Sequence, residues 1–77
     1  MEAGDLERAA ALSERALRIA PREALLWYRL AEIRYRQQRY DEALGFAQRA
    51  QSLAGSNSGL QRDSVRLQEL SAAAAAR

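Results

Sequence analysis

The sequence has no cysteine and no histidine, and its basic residues are all arginine, with no lysine among them. Without thiols, disulfides and thiolate metal sites are excluded, and without imidazoles the commonest acid-base and metal-ligating side chain is gone. Proline occurs once, glycine four times, and aromatics make up 6% of the chain. With few β-branched residues as well, strand propensity is low and helix propensity is high almost throughout. No apolar run approaches the roughly 18 to 20 residues of a membrane span. The start Met1-Glu2-Ala3-Gly4-Asp5 is acidic where a signal peptide would be basic, so the chain reads as soluble and untargeted. Cytoplasm and bacterial envelope both remain open.

What is present is alanine, arginine and a scatter of acids. A hydrophobic share of 48%, much of it alanine, suits closely approaching helices rather than a bulky core. At 77 residues the chain makes one domain, residues 1–77. A core of that size supports only about 3–5 kcal/mol of net stability. The formal net charge of +2 is too small to specify nucleic acid as a partner. The alanine and arginine bias matches a GC-rich bacterial genome.

A search for self-similarity aligns Gly4-Asp5-Leu6-Glu7-Arg8-Ala9 with Gln38-Arg39-Tyr40-Asp41-Glu42-Ala43, and the same offset, that from Ala9 to Ala43, also pairs Ala16 with Ala50 and Ile19 with Leu53. A fixed period in this range means stacked supersecondary units, each unable to bury its apolar face alone. The expected class is all-α: antiparallel helix hairpins stacked as a short solenoid of four helices.

The first helix is expected over Leu6–Ala20, with Leu6, Ala9, Ala10, Ser13, Ala16, Leu17 and Ala20 on one side, Asp5 as N-cap and Pro21 as the stop. The second, about Arg22–Gln38, carries a packing stripe of Trp27, Leu30, Ala31, Arg34 and Gln38 and a second stripe of Tyr28, Glu32, Tyr35, Arg36 and Arg39. The third, about Asp41–Ala54, turns Ala43, Leu44, Ala47, Ala50 and Leu53 inward, and the short turn before it forces an antiparallel hairpin. Gly55 is expected as a C-cap. Ser58 and Gln61 are expected to form a capping box for a fourth helix with a thin apolar face of Leu60, Ser64, Leu67, Ser71 and Ala74. Its last alanines, Ala72–Ala76, are expected to fray.

These residues resemble the tetratricopeptide repeat, whose pattern is Trp, two residues, Leu-Gly, two residues, Tyr, then Ala, three residues, Phe, then Pro. Trp27, Leu30 and Ala43 match; Ala31 holds the small position, Ala50 a later alanine, and Ala9, Ala16, Leu17 and Pro21 the preceding half repeat. Arg34, Ala47 and Gly55 depart from the Tyr, Phe and Pro positions, which implies local repacking. The resemblance covers about residues 4 to 57. It implies a right-handed solenoid with a half repeat over residues 4–21, a full repeat over 22–55 and a capping helix over 58–77. Met1 then falls where the first helix of a preceding repeat would be ending. Either the chain is a piece of a longer array, or the side of its first helix bearing Leu6, Ala9, Ser13 and Ala16 is covered by another chain, as in a homo-oligomer.

The resemblance also implies a groove that accepts an extended peptide or a partner's helix, with Leu25, Tyr28, Arg29, Glu32, Tyr35 and Arg36 at the matching positions. Tyrosines offer broad contact area at low entropic cost and arginines offer forked donors. The bland alternative is a solvated face on which Glu32 pairs with Arg29 or Arg36. Grip on a peptide C-terminus would need Lys or Asn where Tyr28 and Glu32 stand, so that activity is not expected. Arg29, Arg36 and Arg39 interleaved with Tyr28 and Tyr35 could touch RNA, but the low net charge and nearby acids disfavour it. Gly55–Gly59 lacks the Gly-Lys-Ser/Thr ending of a phosphate loop. The acids form no close pair, and Asp41-Glu42 suits a helix start. The expectation is a non-enzymatic protein-binding module with no cofactor, no metal and no catalytic residue, and with structural self-assembly as its alternative.

Overall fold

The computed structural model describes residues 3–77; the acidic start at Met1 and Glu2 lies outside the described residues. Four α-helices follow one another: α1 Ala3–Ile19, α2 Ala24–Arg36, α3 Tyr40–Leu53 and α4 Ser58–Ala75. No strand occurs among the described residues. Connections of three or four residues make each helix antiparallel to the next, so α2 and α4 run in the same sense. Each helix packs on its sequence neighbours, and α2 also touches α4.

The helix ends sharpen the expectations and correct several. Asp5 is not an N-cap: α1 has already begun at Ala3, and the carboxylate sits in the first turn, where it favours the helix dipole and lies 4.0 Å from Arg8. At the other end α1 stops at Ile19, leaving Ala20 exposed outside it. Pro21, Arg22 and Glu23 form a turn closed by Glu23 N–H donating to the Ala20 carbonyl at 3.2 Å, which delays α2 to Ala24.

Helix α2 ends at Arg36 in a Schellman arrangement rather than running to Gln38. Gln38 N–H donates to the Tyr35 carbonyl at 3.0 Å and Arg39 N–H to the Arg34 carbonyl at 2.9 Å. The turn needs a left-handed residue, and Gln38 supplies it at φ 64° although glycine would do so without a Cβ penalty. The matching position after α3 is Gly55, at φ 57°.

The capping box at Ser58 is not formed. Asn57 is the N-cap, its Oδ1 accepting from Leu60 N–H at 3.0 Å, and Ser58 is the first helical residue. The Gln61 amide instead donates to the Gly55 carbonyl. The terminal alanines remain helical through Ala75, with Ala76 N–H donating to the Ala72 carbonyl at 3.1 Å.

The core has two linked clusters. Ala10, Leu17 and Leu30 pack with Leu26, Trp27, Ile33 and Phe46 between α1, α2 and α3. Ala31, Ala47 and Leu67 pack with Tyr28, Tyr35 and Phe46 between α2, α3 and α4. Ala31, Ala43, Ala47 and Ala50 are fully buried, so the departure of Ala47 from a family Phe is accommodated by bringing helices together. Phe46, one position earlier, supplies the ring, its centroid 5.8 Å from that of Trp27.

Arg34 stands where the family has Tyr, and it ties three helices. Its side chain is only 12% exposed, with Glu14 of α1 at 2.8 Å and Glu42 of α3 at 3.6 Å, and it donates to Gln37 Oε1 at 2.9 Å. The cation over the Trp27 ring is Arg49, at 5.7 Å.

Candidate functional site

Because α2 and α4 run side by side in the same sense, their facing edges form a cleft. The predicted residues Tyr28, Glu32, Tyr35 and Arg36 make the α2 wall, and Asp63, Arg66, Leu67 and Leu70 make the α4 wall, around a volume of ≈ 230 Å³. Toward the start of both helices an adjoining cleft runs between Leu25, Tyr28, Arg29 and Glu32 on one side and Asn57, Leu60 and Asp63 on the other. Tyr28, Glu32, Tyr35 and Arg36 thus line one cleft, and Leu25 and Arg29 line a neighbouring one that shares Tyr28, Glu32 and Asp63 with it.

Each side chain owes its place to α-helical spacing. Tyr28, Glu32, Tyr35 and Arg36 recur at intervals of three and four and so share a stripe distinct from the Trp27, Leu30 and Arg34 stripe that meets α1 and α3. Tyr28 and Tyr35 are half-buried against Leu67 and Ala47, fixing their rings while leaving an edge open. Tyr35 is held further by an edge-on contact with Tyr40, centroids 5.4 Å apart. Leu25 and Leu70 expose 44% and 41% of their surface.

Charge is distributed along the groove. Glu32 and Asp63 flank Tyr28, while Arg36 and Arg66 stand on either side farther along. Burial, followed by the negative charges of Glu32 and Asp63, raises the Tyr28 phenol above its ordinary 10.0, against a smaller opposing effect of Arg29. Tyr28 is thus a neutral hydroxyl, able to donate or accept a hydrogen bond at any physiological pH. Arg29 is 60% exposed and pairs with Glu32 at 3.3 Å, the helical pairing anticipated for a solvated face.

The α4 wall of Asp63, Arg66, Leu67 and Leu70 was not legible from the motif, which ends before α4. The available signal was the repeat period itself: α2 starts at Ala24 and α4 at Ser58, the same spacing as Ala9 to Ala43, so the period continues and brings a second helix to the same side.

The residues expected on an open side of α1 divide. Leu6 is buried, 8% exposed, and with Ala9 and Ser13 it borders a second cleft against Arg29, Ile33 and Arg36 of α2. Leu6 is therefore removed from the open face. Ala9, Ser13 and Ala16 are half-buried, whereas their counterparts one period later, Ala43, Ala47 and Ala50, are completely buried. The large apolar residues left open on α1 are Leu12, 59% exposed, and Ile19, 83% exposed.

Among the described residues, no group of three or more histidine, cysteine, aspartate and glutamate side chains could hold a metal ion. No described helix is long and apolar enough to cross a membrane. Helical hairpins stacked at a fixed period, with parallel helices bordering a groove, define the class of helical-repeat interaction proteins. The Tetratricopeptide repeat family model matches residues 1–62, and the chain belongs to that family. No curated protein and no solved structure matches the chain. Repeats of this family are a non-catalytic fold that mediates protein–protein interaction and binds proteins or peptides.

Proposed function

We propose that this chain is a non-enzymatic binding module that holds a peptide or a partner's helix along the α2–α4 groove. The observation that carries this reading is the partly open apolar strip of Tyr28, Tyr35 and Leu70, flanked by Glu32 and Asp63 toward one end and by Arg36 and Arg66 toward the other. Rigid tyrosines bordered by both signs of charge are suited to fixing a segment's position and orientation. The expected ligand places an apolar side chain over Leu70 and polar or charged groups along the flanks.

The test is selection of binders from a displayed random-peptide library on the immobilised chain, followed by affinity measurement with Tyr28→Ala plus Arg36→Ala and, separately, Leu70→Glu. Loss of at least tenfold in affinity with unchanged helicity supports groove binding. Peptides that bind all variants equally would remove it.

A second reading, self-assembly, is favoured by the exposure of Leu12 and Ile19 on α1. Two large aliphatic side chains at i and i+7 on one helix face form a stripe suited to burial against another helix. Ala9 and Ala16 extend that stripe at helical spacing.

A further inference from the structure

The two outer helices carry complementary halves of one hairpin. Shifted by one repeat period, α1 corresponds to α3: Leu12 to Phe46, Ala16 to Ala50 and Ile19 to Leu53. The helix α4 corresponds to α2, since their starts at Ala24 and Ser58 lie one period apart and each follows a four-residue connection. The Trp27 indole donates to the Pro21 carbonyl at 2.8 Å, and Gln61, one period later, donates to the corresponding carbonyl of Gly55. Within the chain, an α2-type helix is covered by the α3-type helix that follows it. The side of α4 where such a helix would pack, marked by Val65 at 37% exposed and by exposed Ala72, is open. The side of α1 that would do the covering is open as well.

We infer that a second copy of this chain docks head to tail, the α1 stripe of Leu12, Ala16 and Ile19 packing on the Val65 and Ala72 face of the neighbour's α4. This rests on the self-assembly reading and specifies its partner surface. The α2–α3 contact supplies the register: Phe46 on Trp27 becomes Leu12 on Gln61, and Arg49 over Trp27 becomes Arg15 beside the Gln61 amide. The ion pair of Arg34 with Glu42 becomes Gln68 beside Arg8. Arg8 and Arg15 border the α1 stripe and can meet Glu69, which stands with Arg62, Asp63 and Arg66 around Val65 on the α4 face. Arg8 is open for this, its side chain 77% exposed with only a 4.0 Å pair to Asp5. Such a contact is heterologous, leaving one α1 and one α4 free at the ends, so assemblies lengthen with concentration instead of stopping at two.

The experiment is light scattering on the full chain over a dilution series, with circular dichroism on the same samples. One variant carries Leu12→Glu and Ile19→Glu, the other Val65→Glu and Ala72→Glu, all at solvent-accessible helix positions. The parent is expected to grow in mass with concentration, each variant alone to remain a single chain, and an equal mixture of the two to form a dimer and nothing longer. Each member of that dimer contributes its one intact face. A parent that stays a single chain at every concentration overturns both the head-to-tail contact and self-assembly. A parent that assembles, with the Val65→Glu, Ala72→Glu variant assembling equally well, overturns the head-to-tail contact alone and leaves a symmetric α1 pairing.

Discussion

Trp27 and Gln61, one repeat period apart, send their side-chain N–H groups to carbonyls six residues upstream, Trp27 to Pro21 and Gln61 to Gly55. The same connection is thus braced twice, once by an indole that also fills the core and once by an amide that does not. Trp27→Phe should keep the contact with Phe46 but lose the bond, costing about 1 kcal/mol. Trp27→Ala should cost about 3–5 kcal/mol, comparable to the whole stability expected of so small a domain. Urea titration followed by circular dichroism distinguishes the two: a shifted midpoint for the first, a chain unfolded in buffer for the second.

Arg34 joins α1 to the hairpin through Glu14 and α3 through Glu42. Both acids are nearly half exposed and regain water when the cation is removed, so the loss is smaller than for a fully buried network. Arg34→Met should cost about 1–2 kcal/mol. Arg34→Lys should recover only part, because one ammonium lacks the fork that spans two acids. Hydrogen exchange should locate the loosening in α1, and equal protection of α1 in parent and Arg34→Met would contradict this role.

Gln38 holds the left-handed position that ends α2. Gln38→Gly removes the steric cost of a side chain there and should raise stability by about 0.5–1 kcal/mol. Gly55→Ala, at the equivalent position after α3, should lower it by about 1 kcal/mol. Opposite shifts in thermal midpoint are the expected result. A Gln38→Gly variant less stable than the parent would show that the glutamine side chain outweighs its backbone cost.

Tyr28 ionises above 10.0, its folded-state value raised by burial and by Glu32 and Asp63. Above the unfolded value the unfolded chain releases this proton while the folded chain retains it, so stability falls as pH rises through and beyond 10.0. Below that range the group makes no pH-dependent contribution. Tyr28→Phe should flatten this part of the stability–pH curve, and Glu32→Gln should shift the Tyr28 tyrosinate absorbance transition to lower pH. An unmoved transition in Glu32→Gln would remove the electrostatic cause.

Local chemistry made much of the fold legible. Alanine-rich runs with apolar residues at intervals of three and four mark helices, Pro21 and Gly55 mark where two of them stop, and the internal match of Ala9 with Ala43 orders the hairpin. Helix ends were harder to read because several side chains can compete for one cap, and Asn57 reached Leu60 N–H where Ser58 was the equally plausible choice. Half of the groove was legible for the same reason as the helices, since Tyr28, Glu32, Tyr35 and Arg36 share one stripe.

By itself the sequence determined the all-helical class, the repeat, the α2 face of the groove and the absence of thiol and imidazole chemistry, all of which follow from residue type and spacing. Only the tertiary structure decided that α4 supplies Asp63, Arg66 and Leu70 to the same cleft, that Leu6 is buried against α2, and that Leu12 and Ile19 are the open apolar pair. The physical reason is that helical periodicity records which side chains share a face but not which neighbour covers it. Burial of a face depends on the distance and crossing of another helix, and those arise only when the whole stack closes around its core.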